Sequence, residues 1–252
     1  MKKALFLLGA FLMLSTIVNA QRSESVRPVK KETKEKVKFE GKRKVRFNIN
    51  LAYTTANIKM TRGGTTEKVS LIGRDGEKTS GVYLGVSWDM DLKYGIGLEF
   101  CDLGAAYYRS SGSWSEYDYD YGYYYKYDVT ASFINVFLSP IKLQYRYAIT
   151  DDFAVSVATG PSLEYCVSYN SETTVSEEDY YEYEIYSDSS TELPWKSLYF
   201  SWDIKASVSY SFLKLTAGTG IGLNNVAKGD YDDFGIKMKV NRPIYVMLSF
   251  AF

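Results

Sequence analysis

The chain has 252 residues, with thirty Lys and Arg against thirty Asp and Glu and no histidine. Zero net charge excludes a global basic field for nucleic acid. The lack of imidazole excludes His-based nucleophile systems and His-ligated zinc. Two cysteines, Cys101 and Cys166, are too few for a disulfide scaffold or a four-thiolate metal site, while 24 tyrosines and only 5 prolines favour β structure.

Lys2 and Lys3 precede an apolar run from Ala4 to Val18, followed by Val18-Asn19-Ala20. This is the pattern of a secretory signal peptide cleaved after Ala20, and the run is short of the roughly 20 apolar residues a helical span needs. Residues 21–43 read as a basic periplasmic linker. From Arg22 to Arg46 there are eleven Lys and Arg against four Glu, with no apolar stripe. A solvated linker is the plainer reading, contact with anionic lipid or peptidoglycan the alternative. Residues 44–252 form the remaining domain.

From Val45 onward the chain alternates with period two, the signature of strands whose successive side chains face opposite ways. Val45, Phe47, Ile49, Leu51 and Tyr53 oppose Arg46, Asn48, Asn50 and Ala52. Val82 to Met90 and Tyr94 to Phe100 follow, the latter opposing Gly95, Gly97, Glu99 and Cys101. The run Phe133 to Ile149 changes phase at Ser139-Pro140, which predicts a β-bulge facing Pro161 or Ser162. Phe153 to Tyr169, Phe200 to Tyr210, Leu213 to Leu223 and Ile236 to Phe252 complete eight runs, the last with its apolar residues on even numbers.

Connections alternate long and short. The long ones are about 58–79, the Tyr-rich 108–128, the acidic 170–195 and the intermediate 224–233, so they gather at one end of an up-and-down meander. Asn170 to Pro194 carries Glu172, Glu177, Glu178, Asp179, Glu182, Glu184, Asp188 and Glu192 and no Lys or Arg.

Periodicity alone does not say whether the apolar face is a dry interior or a lipid-facing exterior, since a soluble lipocalin-like barrel also alternates. Two features favour lipid. The opposite face is full of Gly, Ala and Ser, which weaken solvated strands but suit a narrow packed lumen. Several runs exceed the roughly 9–11 residues that cross an outer membrane. The fold expected is all-β: an eight-stranded antiparallel up-and-down transmembrane β-barrel.

The chain ends on Ile244, Val246, Leu248, Phe250 and Phe252, an alternating run closing on phenylalanine. It resembles the C-terminal membrane-insertion signal of bacterial outer-membrane barrels. Residues from about Val45 to Phe252 resemble the eight-stranded outer-membrane β-barrel family of the PorT-like and OmpA-like kind, with FINVFLSPIKLQYRY and ATGPSLEY similar to its central strand pair. The resemblance implies residence in the cell outer membrane, contact with outer-membrane lipid and handling by the barrel-assembly machinery. It also implies an alternative role as an accessory component of protein secretion, as in PorT-like proteins. No peptidoglycan-binding domain is expected after the barrel.

Glu99, Glu164 and Asp203 fall on the predicted lumen face, with Arg46, Lys142, Arg146, Lys205 and Lys214. An ion path or an acid–base pair is one reading; a salt-bridge network filling the interior is the one favoured, because unpaired charges there are costly. Cys101 and Cys166 are expected inward, on different strands and as free thiols. Tyr117, Tyr119, Tyr121, Tyr123, Tyr125 and Tyr127 share one parity, and Tyr181 and Tyr183 lie in the acidic segment. Some tyrosine belongs to interfacial girdles, but tyrosine at loop ends also suits recognition of sugar or protein surfaces. The expectation is a monomeric, non-enzymatic structural or surface-recognition protein, with no cofactor, no metal and no nucleic acid. An extracellular glycan or protein is its expected ligand, and a small channel is the alternative.

Overall fold

The structure is a computed structural model that describes residues 45–69, 79–92, 94–119, 123–177, 183–229 and 233–252. The expected signal peptide and basic linker lie outside the described residues. Ten strands follow in order: β1 (Val45–Arg62), β2 (Thr65–Val69), β3 (Thr79–Asp91), β4 (Ile96–Asp118) and β5 (Tyr123–Ala148), then β6 (Phe153–Glu177), β7 (Tyr183–Ser190), β8 (Leu198–Tyr210), β9 (Leu213–Gly222) and β10 (Lys237–Ala251). Eight of them run in the sheet order β10-β9-β8-β6-β5-β4-β3-β1, every pair antiparallel, and β1 pairs with β10 from Asn48↔Ala251 to Thr61↔Lys237. That last pairing closes the sheet into an eight-stranded up-and-down barrel and leaves no open edge in the wall.

The barrel is inverted relative to a soluble one. Leu84 is 62% exposed, Leu143 58%, Leu215 56% and Ile244 61%, whereas Asn48, Glu99, Lys142 and Asp203 are each 1% exposed. The interior is narrow because aromatic rings lie flat against glycines. A Cβ on Gly104 would fall 2.5 Å from the Tyr83 ring, and one on Gly218 would fall 2.4 Å from the Tyr245 ring. Those glycines weaken their strands in exchange for a filled centre.

Three expectations are corrected. First, much of the long connections is strand. β2 folds back on β1, β4 and β5 pair out to Asp118↔Tyr123, and β7 pairs with β6 from Ser171↔Ser190. In the Tyr-rich segment the alternation itself predicts a hairpin rising from the barrel, and the β4–β5 ladder is that hairpin; in the polar segment after β1 and in the acidic segment, composition masked the strands. Second, Cys101 faces outward and is exposed. The β3–β4 register slips between Val86↔Leu103 and Trp88↔Phe100, and Cys101 takes φ 53° at that point. It is the extra residue of a β-bulge, so Asp102 takes the inward position. β5 stays in register with β4 through this region, while its register with β6 shifts between Leu138↔Leu163 and Leu143↔Thr159. Pro140 thus stands opposite Cys101, two adjacent strands change phase together, and Ser139 Oγ donates to Pro161 O at 2.7 Å.

Third, the last strand does not keep its even residues outside. Its registers with β1 and β9 shift next to Pro243, between Asn57 and Thr54 on β1 and between Arg242 and Tyr245 on β10. Proline has no N–H for the ladder. Thr55 Oγ1 covers the irregularity by donating to Ile244 O at 2.9 Å and accepting from Ile244 N at 3.3 Å. Beyond the shift Met238 and Val240 turn inward. They join Ile58, Phe133, Trp195, Tyr199, Val226 and Ile236 in an apolar cluster at the long-hairpin end. Two irregular segments are stitched over that cluster by Lys196 N to Val226 O and Val226 N to Met238 O, both 2.8 Å.

Candidate functional site: charged interior and hairpin sheet

The interior charges come from seven strands, each placing a residue inward by strand alternation. Glu99 of β4 sits among three ammonium groups: Lys205, which hydrogen-bonds to it, Lys142 at 3.5 Å and Lys214 at 3.6 Å. Lys142 also reaches Asp102 at 2.9 Å and Asp203 at 3.4 Å, and Lys214 reaches Asp89 at 2.9 Å. Arg242 of β10 bridges Asp203 at 2.5 Å and Glu164 at 2.9 Å, with its guanidinium 4.5 Å from the centre of the Phe137 ring. Asn135 Nδ2 donates to Glu164 at 3.1 Å, and Tyr83 Oη donates to Asp102 at 2.7 Å. Asp89, Glu99, Asp102, Glu164 and Asp203 thus face Lys142, Lys205, Lys214 and Arg242, a near balance in which every cation touches at least one carboxylate.

Arg46 and Arg146 are not part of this cluster. They meet at Asp91 near the short-turn end, where Arg46 donates from both terminal nitrogens at 2.7 and 2.9 Å and Arg146 donates at 3.3 Å. Sequence reasoning left Asp89, Asp102 and Arg242 out of the charged set. Asp102 was hidden by the bulge. Arg242 was hidden by the same even-number reading that misplaced Met238; the signal for it was Pro243, read correctly at Pro140 but not there. Between the ion pairs lies a cavity of about 30 Å³, lined by Tyr83, Asp102, Phe137, Lys142, Asp203, Arg242 and their neighbours. At ~10–15 Å³ per water this holds about two or three water molecules.

At the opposite end β4, β5, β6 and β7 rise together as an antiparallel sheet. The tyrosines of one parity are divided between the two faces of this sheet. Because Tyr117 pairs with Tyr124 across the hairpin, odd residues of β4 lie on the same side as even residues of β5. Tyr117 therefore packs with Tyr119 edge-to-face at 5.0 Å and with Tyr124 at 4.7 Å on the outward side. Tyr125 and Tyr127 belong to the axis-facing side, where Tyr127 stacks on Trp114 at 5.3 Å with rings 9° from parallel. The registers Trp114↔Tyr127, Tyr127↔Val175 and Val175↔Tyr186 put one aromatic-rich row across all four strands. Tyr186 belongs with Tyr180, Tyr181 and Tyr183 among the tyrosines read in the acidic segment, whereas Trp114 was absent from the sequence-predicted set because that set counted tyrosines alone. Tyr123 and Tyr183 lie on the strands; Tyr121 and Tyr181 lie outside the described residues.

Of the terminal residues, Ile244, Val246, Leu248 and Phe252 are exposed on the outer wall and Phe250 is half-buried there. Outside the membrane-facing wall, Lys228 Nζ donates to Glu192 at 2.7 Å, which holds that carboxyl below the usual glutamate range.

A closed antiparallel barrel with an apolar exterior and a charged interior is the class of protein these registers define. No protein-family model matches the chain, and no curated protein matches it. Among solved structures, the attachment invasion locus protein Ail of Yersinia pestis, in complex with the heparin analogue sucrose octasulfate, is 10% identical over 82% of this chain and 99% of that one, with a TM-score of 0.32. Neisserial surface protein A is 10% identical over 82% of this chain and 97% of that one, also at a TM-score of 0.32. An outer membrane channel from Pseudomonas putida F1 is 10% identical over 82% and 95% of the two chains, at a TM-score of 0.28.

Proposed function

We propose that this chain is an integral outer-membrane protein whose barrel is a non-enzymatic scaffold and whose β4–β7 sheet recognises an extracellular glycan or protein. The inverted barrel carries the reading: large aliphatic side chains cover the outside while carboxylates and ammonium groups fill the centre. In water such an exterior would expose a continuous apolar belt, whereas in lipid it is solvated, and closure pairs the backbone polar groups as hydrocarbon demands. Short turns at one end and long hairpins at the other match periplasmic and extracellular faces. The cleaved leader and the alternating C-terminal residues Ile244, Val246, Leu248, Phe250 and Phe252 supply export and insertion. The ion-paired centre acts as a filling: its cavity of about 30 Å³ is far too small for a solute path.

The aromatic row Trp114, Tyr127, Val175 and Tyr186, with the Tyr117, Tyr119 and Tyr124 cluster on the other side, supports recognition, since such side chains combine contact area with polar tips. Deleting residues 112–127 tests it. The barrel should stay heat-modifiable on gels while ligand binding at the cell surface is lost. Unchanged surface binding would refute the role given to this hairpin.

A further inference from the structure

On the wall opposite the tyrosine hairpins, β10, β1 and β2 also extend beyond the apolar belt. Their registers pair Lys59 with Lys239 on one side and with Lys68 on the other. Three lysines therefore stand in one row across three neighbouring strands, directly opposite one another, with backbones about 5 Å apart. Lys237 lies on the same outward face one pair further up, opposite Thr61, and Thr61 bonds Thr66 at 3.1 Å beside it. All four lysines are exposed. Among the described residues none of the four has an ion-pair partner.

Like charges directly opposite in a sheet are destabilising. The acidic residue of β2, Glu67, does not balance this row, because it pairs with Met60 and so lies on the other face. The row sits five residues beyond Ile244, the last outward apolar residue of β10. At about 3.3 Å per residue and a tilt of about 40°, that is about 13 Å above Ile244, at the upper rim of the apolar belt that Ile221 and Leu223 continue next to β10. Anionic headgroups of a surrounding leaflet would meet the wall at that height.

We propose that Lys59, Lys68 and Lys239, with Lys237, form a docking surface for the phosphate groups of outer-leaflet lipid headgroups. The proposal rests on the membrane-barrel reading and adds a ligand to a wall that reading leaves idle. A phosphate-bearing headgroup supplies the negative charge that the row lacks and turns mutual repulsion into shared attraction. The alternative occupant, the acidic hairpin of a second copy, has to bring two protein walls together laterally. A headgroup is already present at the right height.

The test uses the full chain, refolded into phosphatidylcholine vesicles and into neutral detergent micelles, with fluorescent phosphatidic acid as the probe. Failure of the parent protein to insert into the vesicles would sink the membrane reading itself. With insertion established, K59Q/K68Q/K239Q should weaken probe binding by about fivefold per lysine, on the order of a hundredfold in all. The same variant should unfold at the parent temperature or above it, because repulsion has been removed; a structural role would lower that temperature. Inorganic phosphate at the same concentration should fail to displace the probe. Where the triple variant does not fold, K59Q alone should still show the fivefold loss. Binding within twofold of the parent overturns the proposal. So does equal displacement by inorganic phosphate, which makes free phosphate the ligand, or a lysine-dependent dimer with unchanged probe affinity, which makes a second copy the occupant.

Discussion

Replacing Glu99 by Gln tests the account of the barrel centre most sharply. Glu99 is 1% exposed and is shared by Lys142, Lys205 and Lys214. With its charge removed, Lys142 keeps Asp102 at 2.9 Å and Asp203 at 3.4 Å, and Lys214 keeps Asp89 at 2.9 Å. Among the described residues Lys205 keeps no ion pair, although it is 3% exposed. Stranding one buried ammonium group costs about 3–5 kcal/mol, whereas deleting both members of a buried pair is often close to neutral. E99Q should therefore lower the unfolding free energy by about 3–5 kcal/mol, and E99Q/K205M should recover at least half of that loss. Urea unfolding of the vesicle-embedded protein, followed by tryptophan fluorescence, gives both numbers. An E99Q loss under about 1 kcal/mol, or a double variant no better than the single one, would refute the idea that Lys205 depends on Glu99.

Other outcomes follow from the same geometry. Arg242→Met leaves Asp203 and Glu164 without their shared guanidinium and should cost about 3–5 kcal/mol in the same assay; a wild-type curve would show that the bulge at Pro243 does not turn Arg242 inward. Planar-bilayer recordings of the folded protein should show no steady conductance, and an open pore of constant size would contradict a centre whose cavity is about 30 Å³. A fluorophore on Cys101, in a Cys166→Ser background, should be quenched by spin-labelled acyl chains, since the bulge puts that thiol outside the wall; quenching only by aqueous reagents would return it to the interior. The Lys228 bond depresses the Glu192 carboxyl, so its stabilisation is present above the unfolded value, roughly 4.3, and is lost as pH falls through the lower folded value. Amide exchange at Lys196, which anchors the neighbouring segment to Val226, should accelerate relative to β-strand amides as pH falls through that range; a constant ratio would deny the coupling.

The barrel was legible because alternation is a local property and eight separate runs repeated it. What escaped was long-range register. Pro140 announced one phase change, but its counterpart at Cys101 was silent, since a cysteine suits either face and a non-glycine φ of 53° leaves no mark in the sequence. Pro243 carried the same information as Pro140, yet the apolar even residues Met238 and Val240 on its far side imitated an unbroken run. That single slip hid Arg242, which joins Glu164 to Asp203. The faces of the tyrosines were hidden for a related reason: parity within a segment says nothing about faces once the chain turns back, and only the Tyr117↔Tyr124 register decides them. The lysine row was equally invisible, because its three members come from three strands separated by up to 180 residues in the sequence, from Lys59 to Lys239.

The most direct measurement concerns Trp202, 41% exposed on the outer wall with its indole nitrogen bonded to Thr159 at 2.7 Å. Refolded into vesicles whose acyl chains carry bromine, the protein should lose emission that the W202F variant lacks from the outset. If the Trp202 signal survives brominated chains and the folded chain stays dispersed in buffer without detergent, its aliphatic surface does not face lipid and the account is wrong.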